Sequence, residues 1–343
     1  MQYAIFFGGR SYEHEISIVS AIALKEKIKD ALFVFIDKER DLYLIDPKKL
    51  KSKLFSSQEY KKMPQVELKK GGLYQKGFLK EKRIAFDVAI NLIHGADGED
   101  GKLASLFDFY QIPYIGPRVE ASVISYNKLF TKLLLAHLGI NTIEYQIMHK
   151  ENIEPLRFAY PVIVKPLRLG SSIGISIVND DKELSYALDV AFEFDDEVLI
   201  EPFIAGIKEY NLAGCEVLGN WYLSKIEEPQ KGEFLDFEKK YLDFGRSGDV
   251  EEAELLAPVR EKIIESFKKI YYPLFRGALI RIDFFVKENE VYVNEINSIP
   301  GSLANYLFDD FETVLQALTR TLPKERDIAI DYRYINSIQS AKK

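Results

Sequence analysis

Between Ala278 and Asn297 the chain alternates in a way that leaves little choice of local structure. The stretch ALIRIDFFV puts Ile280, Ile282 and Phe284 on one face of a strand, with Arg281 and Asp283 on the other. Lys287-Glu-Asn-Glu290 reads as a turn, and VYVNEIN as a second strand whose Glu295 and Asn297, two apart, project from one face. Two strands and a short loop make an antiparallel hairpin. A three-residue loop at 288–290 pairs Lys287 with Val291, and so sets Asp283 opposite Glu295 and Arg281 opposite Asn297. Four polar side chains then share one face, and Ile280, Ile282 and Phe284 share the other, facing a core. A slip of one residue destroys the pattern.

Two carboxylates and an amide oxygen suit a hard cation such as Mg2+, which keeps water and nucleotide phosphates in its remaining positions. Arg281 beside them suits charge developing on a transferred phosphoryl group or a tetrahedral intermediate. A surface hairpin laced with cross-strand salt bridges fits the same residues. The chain has one cysteine, Cys215, and four histidines without a His-x-x-x-His pair, so neither a disulfide nor a zinc centre is expected. That leaves a cytoplasmic location as the natural setting.

Over its 343 residues the chain is too long for one simple core. Its net charge of −7 argues against nucleic acid as the main partner. Apolar runs such as Val88–Ile93 are too short to span a bilayer. MQYAIFFGG lacks the basic start of a signal peptide. Strand Tyr3–Phe7, a helix from Ser11, strands at 32–36, 42–45 and 86–93, a hairpin at 66–73 and a helix at 103–110 predict an open α/β domain over 1–116. A second domain is read over 117–204, with a helix at 122–138 closed by Gly139, strands at 160–166, 175–178 and 198–201, and a helix at 184–194. The third, 205–343, is richer in strands. Within it the polar stretch 234–250 reads as a long functional loop, mobile without substrate and closing over it.

Three loops invite chemistry. In VIVKPLRLGSSIG, Lys165 ends a strand and Gly170–Gly174 can fold backbone N–H groups around phosphate, although a plain turn reads equally well. Gly8-Gly-Arg-Ser-Tyr-Glu13 joins a strand to a helix; Glu13 either answers the helix dipole or binds an ammonium group. His94-Gly-Ala-Asp-Gly-Glu-Asp-Gly101 ends a strand with three glycines and three acids. None of them has the Gly-x-Gly-x-x-Gly pattern of a nicotinamide dehydrogenase.

Taken in order, FFGGRSYEHEIS, NLIHGADGEDG, IVKPLRLGSSIG, LIEPFIAG, EKKYLDF, LIRIDFF and VNEINSIPGSLANYLF resemble the D-alanine–D-alanine ligase family of the ATP-grasp superfamily, over nearly the whole chain. The resemblance implies an α/β (α+β) ATP-grasp fold with an N-terminal open parallel α/β domain. It implies a bacterial ligase that uses ATP and Mg2+ (two ions, with Mn2+ able to substitute) and two D-alanines, through an acyl phosphate. It implies a homodimer. By the same resemblance Asp283, Glu295 and Asn297 are metal ligands, and Arg281 and the Gly301 N–H serve the oxyanion. Lys128 and Lys165 hold phosphates, and Gly170, Ser171 and Ser172 belong to the lid over them. Glu201, Phe203 and Ile204 line the adenine, and Glu209 meets the ribose. Glu13 takes the first D-alanine's ammonium, with Ser171 and Tyr241 as partners, and His94 lies near its carboxylate. Lys240, Tyr306 and Leu307 contact the second substrate. The chain departs from the family pattern at Leu167, Leu169, Pro202 and Tyr306, the last standing where many members carry serine. Lys240-Tyr241 favours D-alanine as acceptor over D-lactate or D-serine; a nucleotide-binding sensor without catalysis is the reading from another class.

Overall fold

All six residues of strand β1 (Tyr3–Gly8) are buried, because β1 lies inside a sheet that is covered on both faces. The computed structural model describes residues 1–77, 80–229, 250–324 and 326–341. Strand β1 pairs in parallel with β2 (Leu32–Ile36), and the sheet continues antiparallel through β3 (Leu42–Ile45), β4 (Gln65–Lys69), β5 (Gly72–Gln75) and β6 (Lys82–Ile84). On its other side β1 pairs in parallel with β7 (Val88–Asn91), which carries β8 (Tyr114–Ile115). The expected parallel sheet is thus its β2-β1-β7-β8 half. The antiparallel half arises because short turns such as 37–41 and 70–71 cannot make the crossover that a parallel pair needs.

Helix α1 (His14–Leu24) follows β1 and buries Ile18, Ala21 and Leu24 in the core with Ile5 and Phe7. After α2 (Ser52–Ser56), helix α3 (Lys102–Phe109) covers the opposite face through Leu103, Ala104 and Phe107, beside Phe6 and Tyr114.

A single helix over 122–138 is not what forms. Helix α4 (Val119–Tyr126) stops at Asn127, and α5 (Lys128–His137) starts there. Asn127 has extended dihedrals and its Oδ1 accepts the N–H groups of Leu129 and Phe130, so an amide in mid-pattern acts as an N-cap. Next come a four-stranded antiparallel sheet, ordered β11-β10-β12-β9, and helix α6 (Asp181–Phe192). Its strands are β9 (Gln146–His149), β10 (Val162–Pro166), β11 (Ser176–Val178) and β12 (Glu197–Pro202). Residues of β9 to β12 and α6 form their own core around Val164, Leu188 and Ile200.

The last sheet is ordered β14-β13-β15-β16 from β13 (Lys208–Val217), β14 (Asn220–Glu227), β15 (Ile280–Lys287) and β16 (Glu290–Asn297). The long helix Ala257–Leu274 packs Val259, Ile263, Phe267 and Ile270 under it. That core is continuous with the one beneath β1 and α1. Hairpin β15–β16 turns through two residues, not three. Lys287 pairs with Glu290, and Glu288 and Asn289 both have left-handed φ (51° and 66°), the turn that matches the strands' twist. That register would set Asp283 against Asn294. A bulge at Asn294 restores Asp283 to Glu295 and Arg281 to Asn297.

Candidate active site

The bulged hairpin forms the floor of a cavity of about 170 Å³ in which eleven of the residues singled out above meet: Glu13, His94, Gly170, Ser171, Glu209, Arg281, Asp283, Glu295, Asn297, Gly301 and Tyr306. On the floor, Arg281 grips Asp283 bidentately, Nε to Oδ1 at 2.7 Å and Nη2 to Oδ2 at 2.8 Å. Asn297 Nδ2 donates to Asp283 Oδ2 at 3.0 Å. Burial works against the Arg281 charge, but Asp283 beside it holds the guanidinium well above its ordinary range.

The groups on this floor that could hold a metal are two carboxylates and an amide. Among the described residues no three His, Cys, Asp or Glu side chains gather round one point. Such a sparse oxygen set leaves positions open for water and phosphate, as Mg2+ requires. The Asn297 amide turns its nitrogen to Asp283, which leaves its oxygen free of that carboxylate.

The opposite wall comes from the first sheet's loops. Glu13, at the start of α1, is 5% exposed and accepts the Ser171 hydroxyl at 2.5 Å. Burial and then the neighbouring Glu99 push its pKa up to about 7. Glu99 itself is pushed up to about 8, by burial first and also by Glu295. His94 is buried and held down to about 4 by desolvation, so it is neutral at pH 7. Ser171 and Ser172 both take left-handed φ, 56° and 59°, in the loop that follows β10.

A second, smaller pocket lies between the two antiparallel sheets and is lined by Lys165, Glu201, Phe203 and Ile204 with Ile143, Ile163 and Phe285. Apolar walls with one charged end suit a flat heteroaromatic ring. Glu201 is clamped there by Lys132 Nζ and Lys165 Nζ, each at 2.6 Å. Burial alone would raise the Glu201 pKa; the two lysines hold it below the usual range. Lys128 lies in a pocket with Gly170, Glu295 and Asn297, its Nζ on the Leu169 carbonyl at 2.5 Å. Burial lowers its pKa.

The remaining expectations divide. Ser172 lies beside the cavity without lining it. The Leu307 side chain is fully buried against Ala213 and Ala304, not on the cavity, so only its backbone could meet a substrate. Lys240, Tyr241 and nearly all of the 234–250 loop lie outside the described residues. Leu167 and Leu169, which depart from the family pattern just before Gly170, are buried. Sequence reasoning missed Lys132, Glu99 and Ser20. Lys132 falls on the buried side of α5 and reads there as an ordinary helical lysine. Glu99 was visible only as one of three loop acids.

With the geometry in place, the comparisons decide the family. Residues 2–117 match the family model described as D-ala D-ala ligase N-terminus, and residues 134–311 the one described as D-ala D-ala ligase C-terminus. The chain belongs to the D-alanine–D-alanine ligase family. It is 63% identical over its whole length to the D-alanine–D-alanine ligase of Nitratiruptor sp. (all of both chains), and 57% identical to that of Sulfurovum sp. (100% of this chain, 99% of the other). The crystal structure of D-Alanine-D-Alanine Ligase from Helicobacter pylori superposes with a TM-score of 0.86 at 54% identity, covering 94% of this chain and all of that one. The VanG D-Ala:D-Ser ligase of Enterococcus faecalis superposes at 0.74 with 24% identity, over 93% and 97% of the two chains, a likeness of fold alone. The fold is ATP-grasp, and the chain is an ATP-dependent ligase.

Proposed function

We propose that the chain joins two D-alanines to D-alanyl-D-alanine for peptidoglycan precursor synthesis, a reading supported by its 54–63% identity to ligases of that name. What carries it on the structure is the cavity that faces Arg281, Asp283, Glu295 and Asn297 toward Glu13 and Ser171. A carboxylate oxygen of the first D-alanine attacks the γ-phosphorus of ATP, and ADP leaves. The amine of the second D-alanine attacks the resulting acyl phosphate, and the tetrahedral adduct expels phosphate.

In this reading Glu13, ionised above about pH 7 and steadied by Ser171, takes the ammonium of the first D-alanine. Neutral His94 lies by its carboxylate. Arg281 and the Gly301 N–H meet the developing oxyanion. The Gly170–Gly174 loop, Lys128 and Lys165 hold the phosphates, while Glu201, Phe203 and Ile204 line the base and Glu209 meets the ribose. Tyr306, beside Arg281, stands at the second substrate, with the Leu307 backbone; the family resemblance gives Lys240 a contact to that substrate and makes Tyr241 a partner of Glu13. Asp283, Glu295 and Asn297 fit Mg2+, whose charge offsets the repulsion between the ATP phosphates and the incoming carboxylate. Three domains over 1–116, 117–204 and 205–343, a homodimer and a cytoplasmic location complete the proposal. Among the described residues no helix is long and apolar enough to cross a membrane.

The test is D-alanine-dependent ADP release, with the product identified by mass spectrometry when D-lactate or D-serine competes. Asp283→Asn and Glu295→Gln should abolish turnover while the folded circular dichroism spectrum persists. Near-normal turnover in both would remove the metal assignment. D-alanyl-D-lactate as the main product would overturn the acceptor.

A further inference from the structure

We propose that Ser20 is a positioning residue that serves both ends of the reacting centre at once: its hydroxyl accepts the Ser302 N–H beside the oxyanion donor Gly301 and donates to His94 Nε2, fixing the ring so that its proton sits on Nδ1. The proposal rests on the ligase reading above.

Ser20 lies at the end of the second turn of α1, fully buried, and no substrate can reach it. Its Oγ is 3.1 Å from the Ser302 nitrogen and 2.9 Å from His94 Nε2. The two partners come from places 282 and 74 residues away in the chain. A backbone N–H can only donate, so it occupies a lone pair of the hydroxyl, which has one proton left to give. With these two partners in a buried site, the proton goes to His94 Nε2, since leaving it unpaired is costly. His94 Nε2 is then the accepting nitrogen, and Nδ1–H points to the side of Glu99, whose Oε1 lies 3.7 Å away. The opposite tautomer, with the proton on Nε2, would strand the Ser20 proton.

The backbone that Ser20 holds is strained. Ser302, Leu303 and Ala304 follow one another with φ of 49°, 53° and 49° and ψ near 30°, a left-handed turn built without glycine. Chirality disfavours each of these residues there. Such a turn persists only where the surroundings over-determine it. Leu303 and Ala304 are held by burial, and the first peptide of the turn by the Ser20 hydroxyl. Gly301 joins that peptide to the one that carries its own N–H, so losing the Ser20 anchor loosens the Gly301 N–H as well.

The experiment has two arms. In the unaltered protein labelled with 15N-histidine, the His94 resonances should show the proton on Nδ1 and an accepting Nε2. Finding it on Nε2 overturns the proposal, and this arm needs no variant to fold. In Ser20→Ala, kcat should fall roughly 10- to 100-fold, the scale of misplacing a reacting group by about 1 Å, with KM for ATP within about twofold because the ATP pockets share no hydrogen bond with Ser20. The His94 signals should shift. A kcat within about threefold of the parent, or a rise in KM for ATP that parallels the fall in kcat, overturns the positioning role. Failure of the parent protein to make D-alanyl-D-alanine would instead count against the ligase reading, and the histidine spectrum would still judge the Ser20 arrangement.

Discussion

Replacing Gly95 with alanine separates the backbone cost of a left-handed residue from damage to the site. Gly95 has φ of +71°, and a Cβ built there would stand 2.3 Å from Ser11 Oγ and 2.7 Å from Glu13 Oε2. Ser11 Oγ in turn accepts the Glu13 N–H at 3.0 Å, so the new methyl pushes on the Glu13 carboxylate and on the hydroxyl that holds the Glu13 backbone. Gly139 has φ of +63° and nothing within 4 Å of its Cβ position, and it lies at the end of α5, away from the cavity. Both Gly95→Ala and Gly139→Ala should lose about 1–2 kcal/mol of stability from left-handed strain, a fall in Tm of roughly 2–8 °C for a domain of this size. Only Gly95→Ala should weaken the grip on the first D-alanine. A charge-assisted hydrogen bond is worth about 1.5–3 kcal/mol, so its loss raises the KM of the first site roughly 10- to 150-fold. Initial rates of ADP release, fitted over D-alanine concentration with two site constants, give that KM apart from the second. An unchanged first-site KM in a folded Gly95→Ala protein would refute the placement of Glu13 as the ammonium group.

Glu13 titrates near pH 7, and its protonated form cannot pair with an ammonium, so kcat/KM for D-alanine should rise with pH through about 7. Ser171→Ala removes a bond to the ionised form and should move that limb to higher pH; a limb that stays put assigns it to another group. Lys132→Met leaves the buried Glu201 with Lys165 alone and should cost about 3 kcal/mol, the low end for breaking a buried pair, with a higher KM for ATP; a Tm within about 2 °C of the parent would contradict the clamp. Glu288→Asn puts a residue tolerant of φ 51° into the hairpin turn and should raise stability by about 0.5–1 kcal/mol in urea titrations with activity unchanged.

The hairpin shows how a correct reading can rest on a wrong count. The pairing of Asp283 with Glu295 and of Arg281 with Asn297 followed from alternation of side chains on both strands, and it holds. The three-residue loop used to reach it does not hold: a two-residue turn and a bulge at Asn294 sum to the same offset. Without the bulge Ile296 would share the face of Arg281, so the two-faced pattern demands a bulge somewhere without saying where. The helix break at Asn127 is a local signal of another kind. An asparagine inside a helical pattern either points to solvent or caps, and Pro or Gly is absent to decide between them.

By itself the sequence determined the strand and helix alternation, the polar face of the last hairpin and, through its ordered motifs, the family. These are written in short-range periodicity and in residue types at fixed spacing, which the backbone geometry of a strand or helix converts directly into faces. Only the tertiary structure decided that Glu201 stands between Lys132 and Lys165, that Glu99 lies close enough to Glu13 to raise its pKa, and that one α1 serine holds both His94 and the turn at Ser302. Those partners are separated by tens to hundreds of residues. What makes each arrangement strong is burial, which removes the water that would otherwise screen the charges and satisfy the hydroxyl, and no local pattern encodes it.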